Sequence, residues 1–157
     1  MPRAVPKIQQ KRKRVIVFGV FDLLHPGHVR FLARAKRYGD ELVVVVTPDH
    51  RVKQEKGHVP YHSAKERKTV LLALGVVDRV VLGDTGKHWT VIKRLNPNII
   101  VLGPDQSANH PQIREQLHAL PVKPVIKQYP RFRSRKNASS SIRTVRRTRF
   151  KQGRSVP

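Results

Sequence analysis

The chain has 157 residues, which is enough for one domain with a single packed core, and no apolar run in it is long enough to span a membrane. The lack of cysteine excludes disulfides, thiol nucleophiles and thiolate metal sites. The formal net charge is +23 and its excess lies mainly on the ends, since residues 1–14 carry six Lys/Arg, residues 131–157 carry ten, and neither segment has an acid. Such ends predict solvated, disordered tails or nonspecific binding of polyanions, and the positive core suits a phosphorylated ligand. The N-terminus lacks the pattern of a signal peptide, so we expect a cytoplasmic protein.

Five short apolar runs alternate with helical patterns along the chain. Ser63 and Glu66 form a capping box that begins the second helix, and we expect Gly39 and Gly75 to end the first two helices. We predict strands at 15–18, 42–46, 79–82 and 98–102 and a fifth inside 122–129, helices at 28–38, 63–75, 89–95, 111–120 and 139–148, and a polar loop over 48–62.

This alternation predicts the fold class. Strands and helices that alternate with short connections indicate an α/β, Rossmann-like, doubly wound sheet of five parallel strands with helices on both faces. Ligands of such folds bind beyond the carboxyl ends of the strands. We therefore expect the site in the loops at 19–28, 47–62, 83–88 and 103–110 and in the segment after residue 129.

The strongest functional feature is the segment at 19–28, directly after the first predicted strand. Gly19 allows a tight backbone turn, and Gly27 allows a phosphate to approach the backbone where the next helix begins, with its free N–H groups and positive end. His25 and His28 are three residues apart across this helix start, so both imidazoles can face one ligand. The pair suits phosphoryl-type transfer, in which the protein positions groups and stabilises charge on the phosphorus oxygens.

Two alternatives to this interpretation are a capping histidine and a zinc site. A single histidine near a turn is more often a surface or capping residue, but two His, two Gly and Asp22 clustered at a strand-to-helix junction favour a ligand site. Zinc is a poor alternative because no third ligand of the usual kind is evident nearby.

The pattern G-x-F-D-x-x-H-x-G-H at 19–28 resembles the signature of the cytidylyltransferase-like nucleotidyltransferases, and the resemblance extends over about residues 14–145. It implies that His25 and His28 stabilise the pentacoordinate transition state at the α-phosphorus of a nucleoside triphosphate. The chain would then comprise a basic disordered tail at 1–13, a nucleotidyltransferase domain at 14–147 and a basic tail at 148–157. The motif residues expected at the nucleotide are Gly19, Phe21, Asp22 and Gly27.

A second family-like motif is Ser139, Ser140 and Ser141, after the fifth predicted strand. Hydroxyls and free N–H groups at a helix N-terminus can bind phosphates, and the resemblance implies that these serines hold the β- and γ-phosphates. Taken alone, three serines would more often be a linker or a helix cap. Many relatives place an arginine shortly before the serines, and Arg135 is our first choice for that position.

Between the two motifs lie further residues that resemble family elements. Lys53 and Lys56 would face the triphosphate or the acceptor phosphate, and Arg67 would reach the active site, although each could also be an ordinary surface cation. Gly103 and Asp105 follow the fourth predicted strand, where the resemblance implies contact with the base and sugar of the nucleotide. Asp105 could instead merely cap its loop.

The resemblance implies direct displacement, in which an acceptor phosphate attacks the α-phosphorus and pyrophosphate leaves. His25, His28 and Lys56 would stabilise negative charge. Mg²⁺ would bridge the triphosphate oxygens, held mostly by substrate and water. Asp22 would orient a histidine or a metal-bound water, and the sequence assigns no metal ligand.

For the substrates we expect FMN with ATP, ahead of glycerol 3-phosphate or another phospho-alcohol or phospho-sugar with CTP. Lys56-Gly57, Glu66-Arg67 and the segment at 96–106 resemble archaeal-type FAD synthase. A flavin needs aromatic or broad apolar surface, for which Phe21, Trp89, Tyr129 and Phe132 are candidates. The resemblance also implies a homodimer. The alternative from another class is a non-catalytic nucleic-acid-binding protein, which the charge would suit but which the histidine and serine motifs disfavour.

Overall fold

A computed structural model describes residues 12–84, 90–106, 115, 117–121 and 123–130. Within this part of the chain, five strands form one parallel sheet in the order β3-β2-β1-β4-β5. The fold class is therefore confirmed. The strands are β1 Arg14–Gly19, β2 Glu41–Val46, β3 Arg79–Leu82, β4 Ile99–Leu102 and β5 Val125–Gln128, and the helices are α1 Pro26–Lys36, α2 Asp49–Lys56, α3 Ala64–Leu72 and α4 Thr90–Leu95.

The core lies on both faces of the sheet because alternate residues of each central strand point to opposite faces. Val15 and Val17 of β1 pack in a cluster that includes residues of α1 and α3. Ile16, between them, packs in a second cluster with α4. This two-sided burial explains why β1, β2 and β4 appear in the sequence as continuous apolar runs.

Helix α2 lies inside the region that we expected to be a polar loop, so that prediction was wrong. Its sequence is polar throughout and it buries only Val52, which leaves no apolar periodicity to detect. The remaining signals are local: Asp49 lies in the first turn, and Gly57 ends the helix in a left-handed conformation with φ of 70°.

The ends of α1 and α3 differ from the prediction. The cap residues are Arg37 and Ala73, so neither Gly39 nor Gly75 ends its helix. Gly39 is needed for space instead, because a Cβ there would lie 2.6 Å from the Lys13 carbonyl oxygen. The predicted capping box of Ser63 and Glu66 is confirmed.

Several predicted elements lie outside the described residues. These are the helix at 139–148, most of the helix at 111–120, residues 1–11 and 131–157, and Trp89. In the part of the chain that the structure describes, no helix has the length and hydropathy needed to cross a membrane.

Candidate active site

The candidate site lies where the strand order reverses. β1 is central, with β2 on one side of it and β4 on the other, so the segment after β1 begins where the chain changes from adding strands on one side of β1 to adding them on the other. This is the position at which open α/β sheets bind ligands. The histidine motif occupies this segment and leads directly into α1.

His25 caps the N-terminus of α1. Its backbone is extended, with φ of −138° and ψ of 167°, and its Nδ1 accepts a hydrogen bond of 3.1 Å from the Gly27 N–H. When the ring is neutral, this bond places the proton on Nε2, which is then a donor. The Gly27 N–H that we expected at a phosphate is thus already engaged by His25.

The two motif histidines lie against each other, with 3.9 Å between their ring centroids and an angle of 32° between the rings. Burial lowers the pKa of His25. Burial, reinforced by the neighbouring His25, lowers the pKa of His28 to about 4, and Asp22 opposes this only partly. Both rings are therefore neutral near pH 7, and an anion bound beside them would raise both pKa values.

His28 also has a buried Nδ1 without a hydrogen-bond partner among the described residues. A buried polar atom of this kind costs about 1–3 kcal/mol when it stays unsatisfied. Such groups concentrate at functional sites, where a ligand or water completes them.

The ring of Phe21 packs against the ring of His28. Phe21 is 6% exposed, and its ring centroid lies 5.6 Å from that of His28 and 6.4 Å from that of Phe31. Its backbone is left-handed, with φ of 52°, a conformation that costs energy for a residue with a side chain. A Cβ at Gly19 would lie 3.1 Å from the Phe21 ring, so Gly19 provides room for this ring. Phe21 therefore contacts a histidine of the site, and its contact with the nucleotide stays a prediction.

Asp22 lies buried beside the histidine motif, with 2% exposure. Its carboxylate accepts hydrogen bonds from the backbone N–H groups of Tyr61, at 2.8 Å, and His62, at 3.1 Å. The His62 ring also lies near, with 3.5 Å between its Nδ1 and the carboxylate. Asp22 therefore holds the segment that precedes α3 against the histidine motif.

Arg67 is a cation that the sequence could not distinguish from a surface residue, and the structure buries it to 2% exposure. Its guanidinium donates to the carbonyl oxygens of His62, at 3.0 Å, and Thr47, at 2.9 Å. It also donates to the Val20 carbonyl oxygen and pairs with the Asp49 carboxylate at 2.5 Å. Arg67 thus ties together the segments after β1 and β2 and the segment before α3.

The loop after β4 places a glutamine at the crevice. The Gln106 Oε1 accepts from the Gly103 N–H at 2.8 Å, and its Nε2 donates to the Phe18 carbonyl oxygen at 3.1 Å. One amide therefore joins the ends of β1 and β4. Sequence reasoning assigned it no role, although an amide directly after Gly103 and Asp105 was the available signal. Asp105 itself is exposed on this loop.

The remaining candidates are less defined. Lys53 and Lys56 are exposed in the last turn of α2. Arg135 and the serines at 139–141 lie outside the described residues. Among the residues that are described, no group of three or more His, Cys, Asp or Glu could hold a metal ion.

Comparison with known proteins agrees with this geometry. The family model described as cytidylyltransferase-like matches residues 16–146. The FAD synthase of Pyrococcus abyssi strain GE5/Orsay is 42% identical over 132 residues, which cover 83% of this chain and 89% of that protein. The FAD synthase of Thermococcus sibiricus strain DSM 12597/MM 739 is 47% identical over 110 residues, covering 69% and 74%.

Among solved structures, the lipopolysaccharide core biosynthesis protein from Thermoplasma volcanium GSS1 superposes with a TM-score of 0.72 at 34% identity, covering 78% of this chain and 99% of that one. The family match spans more than half of the chain, and the relatives are covered over most of their length. The chain therefore belongs to the cytidylyltransferase-like family of nucleotidyltransferases.

Proposed function

We propose that the protein is an FMN adenylyltransferase that makes FAD from FMN and ATP and releases pyrophosphate. The observation that carries the chemistry is the close pair of neutral histidines at the start of α1, where the strand order reverses. The choice of FMN and ATP is supported by relatives named FAD synthase at 42% and 47% identity.

The reaction is a direct displacement. A phosphate oxygen of FMN forms a bond to the α-phosphorus of ATP, the bond from that phosphorus to the bridging oxygen breaks, and pyrophosphate leaves with the electron pair. The Nε2–H of His25 donates to a phosphorus oxygen, since its Nδ1 is held by Gly27. The neutral ring of His28 completes the pair, and its partnerless Nδ1 is available to the bound nucleotide or a water. No covalent enzyme intermediate is required.

The two substrates lie on opposite sides of β1. ATP occupies the crevice between β1 and β4, where Gly103 and Asp105 lie, with the serines at 139–141 and Arg135 at its phosphates. The acceptor lies on the β2 side, towards Lys53 and Lys56. Arg67 acts through the loops that it holds, because its guanidinium is already bonded to protein atoms.

Mg²⁺ enters as part of the nucleotide substrate. The described residues supply no cluster of metal ligands, and Asp22 accepts hydrogen bonds from two backbone N–H groups. Mg²⁺ keeps several waters and is commonly bound through substrate phosphates. The protein therefore recognises the MgATP complex through its triphosphate.

The test is product analysis. Incubation with FMN, ATP and Mg²⁺ should give FAD and pyrophosphate in equal amounts, and the His28→Ala variant should give neither at a comparable rate. CDP-glycerol from CTP and glycerol 3-phosphate, with no FAD, would refute the choice of substrates and keep the enzyme class. The absence of pyrophosphate release with every triphosphate and acceptor phosphate would favour a nucleic-acid-binding protein.

We also propose a cytoplasmic homodimer whose basic ends bind polyanions, on the basis of the family resemblance and of the charge at residues 1–14 and 131–157. Light scattering after size exclusion measures the mass of the assembly. Binding to DNA at two salt concentrations measures the polyanion affinity, which should fall steeply with salt.

A further inference from the structure

The described aromatic side chains differ sharply in their exposure. Tyr61 is 58% exposed, whereas the other described Phe and Tyr residues are buried or half-buried. Of the candidates for a flavin contact, Phe21 is enclosed by His28 and Phe31, and Tyr129 packs edge-on against Phe31 with 5.3 Å between centroids. Among the described Phe and Tyr residues, Tyr61 therefore has the most exposed ring, and this ring also lies edge-on to the His62 ring, with 4.9 Å between centroids. Val59, 59% exposed, lies two residues before it.

The backbone beneath this exposed ring is held by buried charges. The Asp22 carboxylate binds the N–H groups of Tyr61 and His62, and the Arg67 guanidinium binds the His62 carbonyl oxygen. Ser63, next in the chain, begins α3 through its capping box. Asp22 and Arg67 are each only 2% exposed. An exposed tyrosine on a backbone fixed in this way has few torsions left to order, so it loses little conformational entropy on binding.

The position of Tyr61 matches the acceptor side of the site. Its N–H lies 2.8 Å from the carboxylate of Asp22, and that carboxylate is close enough to His28 to raise its pKa against the effect of burial. Tyr61 belongs to the segment between β2 and α3, so it lies on the side of β1 opposite to the β4 loop. With the nucleotide in the crevice between β1 and β4, the acceptor meets the histidines from this side.

We propose that Tyr61, assisted by Val59, is the platform on which the isoalloxazine ring of FMN lies while its phosphate reaches the histidine pair. This inference rests on the proposed function and adds to it the residue that selects a flavin over a small phosphate ester. Stacking on an aromatic ring favours the binding of a flat, extended acceptor. It does not strengthen the binding of glycerol 3-phosphate, which has no ring. The contact is therefore one of acceptor recognition, separate from the transfer chemistry.

The test compares Tyr61→Ala, Tyr61→Phe and Tyr38→Ala in the full-length chain. Tyr38 follows α1, and its half-buried ring lies 5.7 Å from the Lys127 Nζ of β5, towards the opposite edge of the sheet. Tyr38→Ala therefore controls for the loss of a tyrosine ring away from the site. In Tyr61→Ala the KM for FMN should rise about 5-fold or more while the KM for ATP stays within about 2-fold, as expected for a lost stacking contact. Tyr61→Phe should keep the KM for FMN near the wild-type value, and Tyr38→Ala should leave both constants unchanged.

A binding measurement with FMN alone provides a readout that does not depend on turnover. A phenol in contact with a flavin quenches its fluorescence by electron donation, so wild-type protein should quench FMN, and Tyr61→Ala and Tyr61→Phe should quench it less. An unchanged KM for FMN in Tyr61→Ala, or an equal rise for both substrates, would overturn the platform even if FAD is formed. If wild type binds FMN through Tyr61 but makes no FAD, the proposed function fails and the platform stands.

Discussion

The lowered pKa of His28 predicts how the free energy of unfolding depends on pH, which can be measured without substrate. In the folded protein, burial and the adjacent His25 lower the pKa of His28 to about 4, against 6.5 for an unperturbed histidine. Between these two values the unfolded chain binds a proton that the folded chain does not. Stability therefore rises with pH in this window: the contribution is fully present above pH 6.5 and is lost as the pH falls towards 4.

The size of the effect follows from the two pKa values. At about 1.4 kcal/mol for each pH unit between them, the full loss below pH 4 is about 3 kcal/mol. Between pH 7.5 and pH 5.0 the same linkage gives a loss of about 2 kcal/mol. Although partial burial raises them, hydrogen bonds and neighbouring cations hold the pKa values of Glu41 and Asp78 below their usual range. Their contributions are therefore lost chiefly below pH 5.0, outside the range from pH 7.5 to 5.0.

Urea unfolding of wild type and of His28→Gln at pH 7.5, 6.5, 5.5 and 5.0 measures the contribution of His28 to the free energy of unfolding. The free energy of unfolding of wild type should fall by about 2 kcal/mol more than that of the variant across this range. His118→Gln, which changes an exposed histidine, is the matched control and should keep the wild-type slope. If His28→Gln also keeps that slope, the ring is not held neutral by its surroundings, and the account of a neutral pair is wrong.

Three further predictions concern turnover and folding. His25→Ala and His28→Ala should each leave a folded protein whose kcat falls by roughly 10²-fold or more, as for other lost electrostatic donors, and near-normal turnover would remove that histidine from the mechanism. Replacing Ser139–Ser141 together with alanine should raise the KM for ATP more than that for FMN, whereas equal effects would indicate a purely structural cap. Arg67→Met should lower the free energy of unfolding by about 3 kcal/mol by leaving Asp49 and three carbonyl oxygens without their donor, and a loss below about 1 kcal/mol in urea unfolding would show that these bonds are not needed.

The fold could be predicted because its signals are local in the sequence. The buried strands are continuous apolar runs, and the motif at 19–28 brings its glycines and histidines within ten residues. Helix α2 could not be predicted in the same way. Val52 is the one residue that it buries, so its helical state depends on the flanking residues and on tertiary contacts, which apolar periodicity does not report.

The sequence could predict only those site residues that belong to one continuous segment. Arg67 lies beside Glu66 in a charged stretch, and only the folded chain brings four acceptors from three segments around its guanidinium. The role of Asp22 likewise depends on the backbone of Tyr61, which is 39 residues away. Such long-range bonds depend on which loops the sheet order places side by side, and no spacing within the sequence carries that information.

The sheet order also constrains how the two substrates can meet. In-line transfer requires the attacking and leaving oxygens to approach the α-phosphorus from opposite sides. A crevice on the β4 side and a rigid loop on the β2 side provide two such approaches, with the histidines between them at the start of α1. Neutral imidazoles suit this central position, because they donate hydrogen bonds to phosphorus oxygens without requiring a buried charge before the anion arrives. The negative charge of a bound triphosphate raises the pKa of both rings, so they bind a proton more readily as charge develops on the oxygens of the α-phosphorus.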